Sequence, residues 1–319
     1  MRNAFAAEIT ELAEYDERLV LLSGDIGNRL FDTFKERYSD RFYNCGVAEA
    51  NMTSLAAGLA LTGFRPLTYT IAPFAITRCF EQIRVDLCYQ KLPVIIVGTG
   101  AGLSYASNGA THHSCEDIAL LRALPNMTVV CPGDSWELRA ALREALHQPG
   151  PVYLRIGKKG EPLVHGGLPE LTLGKALEIR AGRDVCLLST GNMLAPAVQC
   201  AEQLSREGIS ARVMSFHTVK PLDEQALQDL SSRYPLLVTI EEHSRLGGLG
   251  GAVAEWLADH HEQRTRLLRI GTPDGFFHEA GEQDYARERL GLSVPAIIGQ
   301  IGTALESQPK IASLALASL

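Results

Sequence analysis

Apolar strand-like runs alternate with helical patterns along most of the chain, and this alternation restricts the fold more than any other feature. In the first half the runs RFYNCG at 41–46, RPLTYT at 65–70 and MTVVCPGD at 127–134 are each followed by a helical stretch. Strands that alternate with helices of about 10–15 residues indicate a parallel sheet with helices on its faces. We therefore expect an α/β fold.

The alternation is interrupted once and then resumes. A segment rich in Gly, Pro and Lys begins near residue 158, and runs such as VCLLSTG at 185–191 follow it. At roughly 100–200 residues per domain, a chain of 319 residues favours two domains. We predict two consecutive α/β/α domains: a mostly parallel-sheet domain at 1–160, a linker at 161–182 and a smaller domain at 183–319.

The net charge limits the kinds of partner that the chain can bind, and its cysteines indicate the compartment that it occupies. Lys and Arg number 30 against 37 Asp and Glu, and the net charge of −7 disfavours nucleic acid or an anionic membrane as the partner. No apolar run reaches the roughly 18 residues of a membrane span. The seven cysteines form no C-x-x-C pair, which predicts reduced thiols in a cytoplasmic protein.

Several common functional motifs are absent. GTGAGL at 98–103 places Leu103 where a dinucleotide fingerprint needs its third glycine. GLSYA at 102–106 ends in Ala106 where a nucleophile elbow needs glycine. The densest group of metal-binding residue types is at 112–116, but its two adjacent histidines point in different directions, so we predict no metal ligands in this chain.

One carboxylate interrupts a helix of small residues. GVAEANMTSLAAGLALTG at 46–63 is rich in Gly and Ala and nearly free of charge, yet Glu49 lies near its start. An exposed acid there would stabilise the helix by roughly 0.3–1 kcal/mol, through its interaction with the helix dipole. The small residues around it predict close packing on more than one face, and a buried carboxylate is costly unless it is paired or protonated. Both a structural and a functional role for Glu49 are open on these grounds.

The order of several motifs resembles the transketolase family. The helix segment matches that family's G-[IV]-x-E-x-x-M-x-x-x-A-x-G-x-A pattern, and the likeness continues through FAITRCFEQIRVDLCYQKLPVIIV at 74–97 and NGATHHSCEDIALLRALPNMTVVCPGD at 108–134. EEHSRLGGLGGAVAE at 241–255 and GTPDGFFHEAGEQDYARERLGL at 271–292 resemble the family's C-terminal domain. The resemblance extends from about residue 3 to about residue 303.

The resemblance is to the second half of a full-length transketolase. The family's diphosphate and Mg²⁺ motif, G-D-G followed by an Asn, is not found here. The resemblance therefore implies the carboxy-terminal subunit of a two-chain enzyme that transfers a two-carbon ketol unit between sugar phosphates. It implies thiamine diphosphate as cofactor, Mg²⁺ ligands from an amino-terminal partner subunit, and a heterotetramer with two copies of each chain.

The resemblance also assigns cofactor-binding and catalytic residues. Glu49 corresponds to the glutamate that hydrogen-bonds the aminopyrimidine ring and prepares the cofactor for proton removal. Phe74 and Phe80 correspond to positions of the aromatic pocket around that ring. Asp25, which ends LVLLSGD, is either a cofactor contact or a helix cap. His112, in GATH, matches a histidine that contacts substrate hydroxyls, so Glu49 and His112 are the expected catalytic residues.

Substrate positions carry over in the same way, with two departures. Arg78 is expected to point towards a substrate phosphate or carboxylate, and Arg155 to bind the sugar phosphate. Asn108 replaces the motif's Asp before GATH, and Gly100 replaces a histidine that ketose-using members place near the donor C1 hydroxyl. His112 itself is retained, and the two departures predict an altered hydroxyl preference and a modified or unusual sugar.

Two other interpretations remain open. The β subunit of a 2-oxo-acid dehydrogenase shares the fold and the glutamate, but it would show H-S-Q where this chain has THHSCED at 111–117. A non-catalytic paralogue that stabilises or regulates its partner would explain the changes at Asn108 and Gly100 as early decay. Retention of Glu49 favours an enzyme. A deoxyxylulose-phosphate synthase, a longer single chain, is disfavoured by length.

Overall fold

The computed structural model describes residues 1–306 apart from 28, 159, 261, 263 and 264, so the end of the predicted second domain, 307–319, lies outside the described residues. Two sheets dominate it, one of seven strands and one of five. Each sheet is mostly parallel and carries helices on its faces. The predicted fold class, two consecutive α/β domains with mostly parallel sheets, is confirmed.

The first sheet has the strand order β10-β5-β6-β4-β3-β1-β2. Its central strands are buried at nearly every position, as expected for a parallel sheet with both faces covered. The strands are β1 (Leu19–Ser23), β2 (Phe42–Asn44), β3 (Arg65–Ile71), β4 (Ile95–Thr99), β5 (Thr128–Val130), β6 (Val152–Ile156) and β10 (Thr218–Lys220).

Helices cover both faces of this sheet. One hydrophobic cluster includes Met52 and Ala56 of α3, and another includes Phe5 of α1 and Leu138 of α7. A π-helical segment at Ile83–Tyr89 follows α5. The helices are α1 (Arg2–Leu12), α2 (Asp32–Arg37), α3 (Glu49–Leu61), α4 (Ala72–Ile76), α5 (Phe80–Gln82), α6 (Asp117–Arg122) and α7 (Ser135–Ala145).

The second sheet has the order β12-β11-β8-β9-β7, with its edge strand β7 antiparallel to β9. Its strands are β7 (Leu177–Arg180), β8 (Val185–Ser189), β9 (Ala211–Ser215), β11 (Leu236–Ser244) and β12 (Arg266–Thr272). Its helices are α8 (Leu194–Arg206), α9 (Glu224–Arg233), α10 (Leu249–Asp259), α11 (Gln283–Arg289) and α12 (Val294–Glu306).

Two strands lie where the sequence pattern does not predict them. β7 lies inside the predicted linker at 161–182, and it closes one edge of the second sheet. β10 follows β9 in the chain but pairs antiparallel with β5 of the first sheet. Both strands are short and have no long apolar run, which is why periodicity did not reveal them. Among the described residues, no helix is long and apolar enough to cross a membrane.

The parallel strands of the first sheet end at a common edge, where ligands gather in α/β folds. Loops and helices that leave this edge carry the candidate site. Asp25 follows β1, α3 follows β2, Phe74 lies in the helix after β3, and Gly100 follows β4. The fold thus explains how residues scattered along the sequence come near one another.

Candidate active site

Glu49 is a buried carboxylate with one ion-pair partner. It is the first residue of α3, and only 4% of its surface is exposed. Arg78 Nη1 donates a hydrogen bond to Glu49 Oε1 at 3.1 Å. Among the described residues, no other group donates to this carboxylate. A buried acid with so few partners is unusual, because buried charges are normally paired and hydrogen-bonded at every oxygen.

Arg78 reaches Glu49 across the ring of Phe74. The guanidinium carbon lies 3.7 Å from the ring centroid, a cation–π contact, and 46% of the side chain remains exposed. The sequence places Arg78 towards a substrate anion. In the structure its charge compensates Glu49 instead, while its exposed part still borders the open side of the site.

The Phe74 ring also contacts His112. The two ring centroids are 5.1 Å apart in an edge-to-face arrangement, and Thr111 Oγ1 lies 2.9 Å from His112 Nδ1. Burial, followed by the charges of His113 and Arg78, lowers the pKa of His112. The imidazole is therefore neutral near neutral pH, so it can both donate and accept a hydrogen bond.

Two further residues, which no sequence motif indicated, complete this group. The Tyr105 ring centroid lies 6.1 Å from that of His112, and Lys158 Nζ lies 4.7 Å from the Tyr105 centroid. Lys158 comes two residues after the end of β6 at Ile156, so it lies beside the edge where the strands end. That position relative to a strand end is a sequence signal that could have identified it.

Arg155 has a different role from the predicted phosphate ligand. It lies inside β6 and only 2% of it is exposed. Its Nε donates to Asp117 Oδ2 at 2.8 Å, and its Nη2 donates to the carbonyls of Ser114 at 2.7 Å and Glu242 at 3.0 Å. Burial alone would raise the pKa of Asp117, but Arg155 and then His243 hold it below its ordinary value. Arg155 joins the two domains and presents no open face to a sugar phosphate.

The remaining predicted residues lie in other surroundings. Phe80 lines a groove of about 460 Å³ with Leu246 and Phe276 of the second domain. Asp25 is exposed, adopts a φ of +58°, and accepts a hydrogen bond from Asn44 Nδ2 at 2.8 Å.

Asn108, where the motif has an acid, is also exposed, and its backbone N–H donates to the Tyr105 carbonyl at 2.9 Å. Of the substrate positions, the structure therefore brings Arg78 and His112 to Phe74, and it brings Asn108 to the loop that carries Tyr105.

Glu242 of the second domain holds the loop that carries Tyr105. Its Oε1 accepts a hydrogen bond from the Leu103 N–H at 2.7 Å, and Asn192 Nδ2 donates to the same oxygen at 3.0 Å. Gln283 donates to both oxygens, and Arg287 pairs with Oε2. The contact with Leu103 spans 139 residues of sequence, and no local pattern could have predicted it.

Among the described residues, no group of three or more His, Cys, Asp and Glu side chains is arranged to hold a metal ion.

Comparison with known proteins assigns both halves of the chain. Residues 1–161 match the family model of the transketolase pyrimidine binding domain, and residues 174–297 match that of the transketolase C-terminal domain. The 6-deoxy-6-sulfo-D-fructose transketolase subunit SqwH of Clostridium sp. (strain MSTE9) is 39% identical over 299 residues, which cover 93% of this chain and 92% of that protein.

Other relatives agree. An apulose-4-phosphate transketolase subunit of Phocaeicola vulgatus is 35% identical over 86% of this chain and 87% of its own length. A solved structure of a split-gene transketolase, an inactive beta4 tetramer, superimposes with a TM-score of 0.87 at 35% identity, covering 96% of this chain and 97% of that one. The chain belongs to the transketolase family, and it corresponds to the carboxy-terminal subunit of the split form, with a pyrimidine-binding domain followed by a C-terminal domain.

Proposed function

We propose that this chain supplies the pyrimidine-binding half of a thiamine-diphosphate-dependent transketolase that transfers a two-carbon ketol unit between sugars. The observation that carries the proposal is Glu49, a buried carboxylate with a single ion pair beside an aromatic ring. A carboxylate and an aromatic wall are the groups that an aminopyrimidine ring requires. The cofactor, when bound, supplies the carbanion chemistry, and the protein orients it and controls protons.

In this proposal each residue of the group has its own task. Glu49 holds or shares a proton at the pyrimidine ring, and Arg78 limits the cost of burying its charge. Phe74 forms one wall of the ring pocket. His112, neutral because burial lowers its pKa, exchanges hydrogen bonds with substrate hydroxyls. Phe80 and Asp25 remain predicted cofactor contacts, and Mg²⁺ would be held by the partner subunit.

We infer that the substrate carries a terminal anion, and that Lys158 binds it. Lys158 is the cation beside Tyr105, whereas Arg155 is already engaged at the domain junction. The names of two relatives specify a sulfonated fructose and a phosphorylated apulose, both of which carry an anionic group. A specialised sugar of this kind fits the changes at Asn108 and Gly100.

An open face of α3 supports a partner subunit. Leu55 is 41% exposed and Leu61 is 64% exposed, and a side chain at Gly58 would meet no atom within 4 Å. The small residues of this helix predict close packing on more than one face, and one of these faces is open in the single chain. We propose that an amino-terminal transketolase subunit completes the site in a cytoplasmic heterotetramer.

Co-purification with a candidate amino-terminal subunit, followed by titration with thiamine diphosphate and Mg²⁺, tests the proposal. We expect tight cofactor binding by the pair and weak or no binding by this chain alone, because the diphosphate motif is absent from it. Tight binding by the isolated chain would contradict the shared site. Normal turnover of xylulose 5-phosphate by the pair would contradict the specialised sugar but not the transketolase chemistry.

A further inference from the structure

We propose that Tyr105 determines the substrate specificity of this site, because its ring takes the space of the side chain that position 100 lacks. The proposal rests on the proposed function and names the residue that selects the sugar at the same site. In this view the absence of a side chain at Gly100 and the presence of a ring at Tyr105 belong together, because only one of the two positions can fill this space. The missing side chain has been replaced by an aromatic one from five residues further along the chain.

The geometry at Gly100 shows that the two positions exclude each other. A Cβ added to Gly100 would lie 2.0 Å from Tyr105 Cε2 and 2.1 Å from Tyr105 Cδ2. Real Cβ atoms essentially never approach another heavy atom within 3.0 Å. Gly100 also has a φ of +78°, which side-chain-bearing residues rarely adopt. A residue other than glycine at position 100 therefore requires the Tyr105 ring to leave.

The backbone around Tyr105 holds the ring where it is. The Leu103 N–H donates to Glu242 Oε1 at 2.7 Å, and the Ser114 N–H donates to the Gly102 carbonyl at 2.9 Å. The Asn108 N–H donates to the Tyr105 carbonyl at 2.9 Å. The loop is thus fixed on both sides of Tyr105, and a pre-organised side chain is what selective binding requires.

The Tyr105 ring lies near both groups proposed to bind the sugar. The ring centroids of Tyr105 and His112 are 6.1 Å apart, and Lys158 Nζ lies 4.7 Å from the Tyr105 centroid. The Tyr105 hydroxyl makes no hydrogen bond to any described residue, so it is available to a substrate hydroxyl. The resulting surface fits a sugar that carries a terminal phosphate or sulfonate: the ring packs against its carbon chain while Lys158 holds the anion.

The test compares two donors in the reconstituted pair of subunits. We expect Tyr105→Leu to change the ratio of kcat/KM for 6-deoxy-6-sulfofructose to that for xylulose 5-phosphate at least tenfold. Tyr105→Phe, which removes only the hydroxyl, should change it less. Tyr15→Leu, at a tyrosine that is 85% exposed, is the control and should leave the ratio unchanged. Cofactor affinity should stay the same in all three variants.

The outcomes separate this inference from the proposed function. An unchanged ratio in Tyr105→Leu, with turnover retained, overturns the inference and leaves the transketolase assignment standing. If the pair binds cofactor but transfers no ketol unit from any donor, the proposed function fails, and the inference fails with it.

A stability comparison tests the exclusion itself without any activity. Gly100→Ala should lower the melting temperature of the chain by more than Gly208→Ala, because Gly208 has a similar φ of +85° but no atom within 4 Å of an added Cβ. In a Tyr105→Ala background the excess loss at position 100 should disappear. An equal loss in both backgrounds would show that the ring does not occupy the space of a residue-100 side chain, and would overturn the inference.

Discussion

Two buried glutamates, Glu49 and Glu242, are bonded in opposite ways. Both are almost fully buried, and each forms an ion pair with an arginine. Glu242 uses both carboxylate oxygens, because a backbone N–H, two side-chain amides and Arg287 all donate to it. Glu49 receives one hydrogen bond, from Arg78, among the described residues.

The difference separates a structural acid from one that awaits a ligand. A buried charge whose oxygens are all bonded stabilises the fold and has no capacity for another partner. A buried charge with free capacity costs stability, so its persistence requires another explanation. Glu242 connects two domains and a loop. By contrast, the Glu49 carboxylate pairs only with Arg78 among the described residues, and the Arg78 guanidinium lies over the Phe74 ring.

Glu49→Gln should have the largest effect, and it should be confined to activity. The amide keeps the size of the side chain but cannot hold a proton as a carboxyl does, so we expect turnover by the reconstituted pair to fall by roughly 10²–10⁴-fold. The melting temperature of the chain should change little, because only the Arg78 pair is lost. Glu207→Gln, at an exposed glutamate of the second domain, is the control. Undiminished turnover would rule out the assigned role of Glu49.

Arg155→Met should show the reverse pattern, with a large loss of stability. It leaves Asp117 buried without its ion-pair partner, a change that costs roughly 3–5 kcal/mol in free energy of unfolding. Chemical denaturation of the isolated chain measures this. The double variant Arg155→Met/Asp117→Leu should recover part of the loss, because it removes the unpaired charge. A stable single variant with weakened binding of the sugar anion would restore the phosphate role that the sequence suggested for Arg155.

The contrast also explains what could be read from the sequence. Glu49, Phe74 and His112 lie in local motifs that follow strands, so a resemblance along the chain is sufficient to find them. The parallel sheet follows from alternation, and the comparisons confirm both the family and the fold class. The order of strands within the sheets, including the pairing of β10 with β5, was beyond that pattern.

The role of a residue could not be predicted from the sequence where it depends on contacts with residues distant along the chain. Arg155 and Lys158 are three positions apart in one basic run, and no composition argument separates them. The difference is that Arg155 lies within a strand buried on both faces, whereas Lys158 lies beyond the strand end. The proposed role of Tyr105 depends on the position of its ring beside Gly100. The role of Glu242 depends on a hydrogen bond across the domain boundary.

Glu242→Gln should cost less than Arg155→Met. The amide can keep part of the hydrogen-bond pattern, but the charge that pairs with Arg287 is lost, so we expect a loss of roughly 1–3 kcal/mol in free energy of unfolding. Because Glu242 also holds the Leu103 N–H, the KM for the donor sugar should rise more than kcat falls. A change in stability with unaltered KM would mean that the loop keeps its position without this bond.

The smallest effect should be a pH dependence at the same domain junction, through His243. Its Nδ1–H donates to the Ser244 carbonyl at 2.8 Å, and its Nε2 accepts from the Ala119 N–H at 3.3 Å, so the bonds require a neutral imidazole. Burial lowers the pKa of His243 to about 4, against the attraction of Asp117. Glu241, whose pKa burial raises to about 7, lies 3.9 Å from Nδ1.

These two pKa values determine how the stability of the folded chain changes with pH. Because the unfolded chain takes up a proton at His243 before the folded chain does, the stability contributed by the neutral ring is complete above about pH 6.5 and is lost as pH falls towards about 4. Glu241 acts oppositely, since its contribution is lost as pH rises from about 4.5 towards about 7.

His243→Asn should therefore lose less stability than the wild-type chain on acidification, measured by denaturant unfolding over this range. His147→Asn, at an exposed histidine, should follow the wild type. Parallel curves for His243→Asn and wild type would mean that His243 takes up its proton equally readily in the folded and the unfolded chain, and would contradict this prediction.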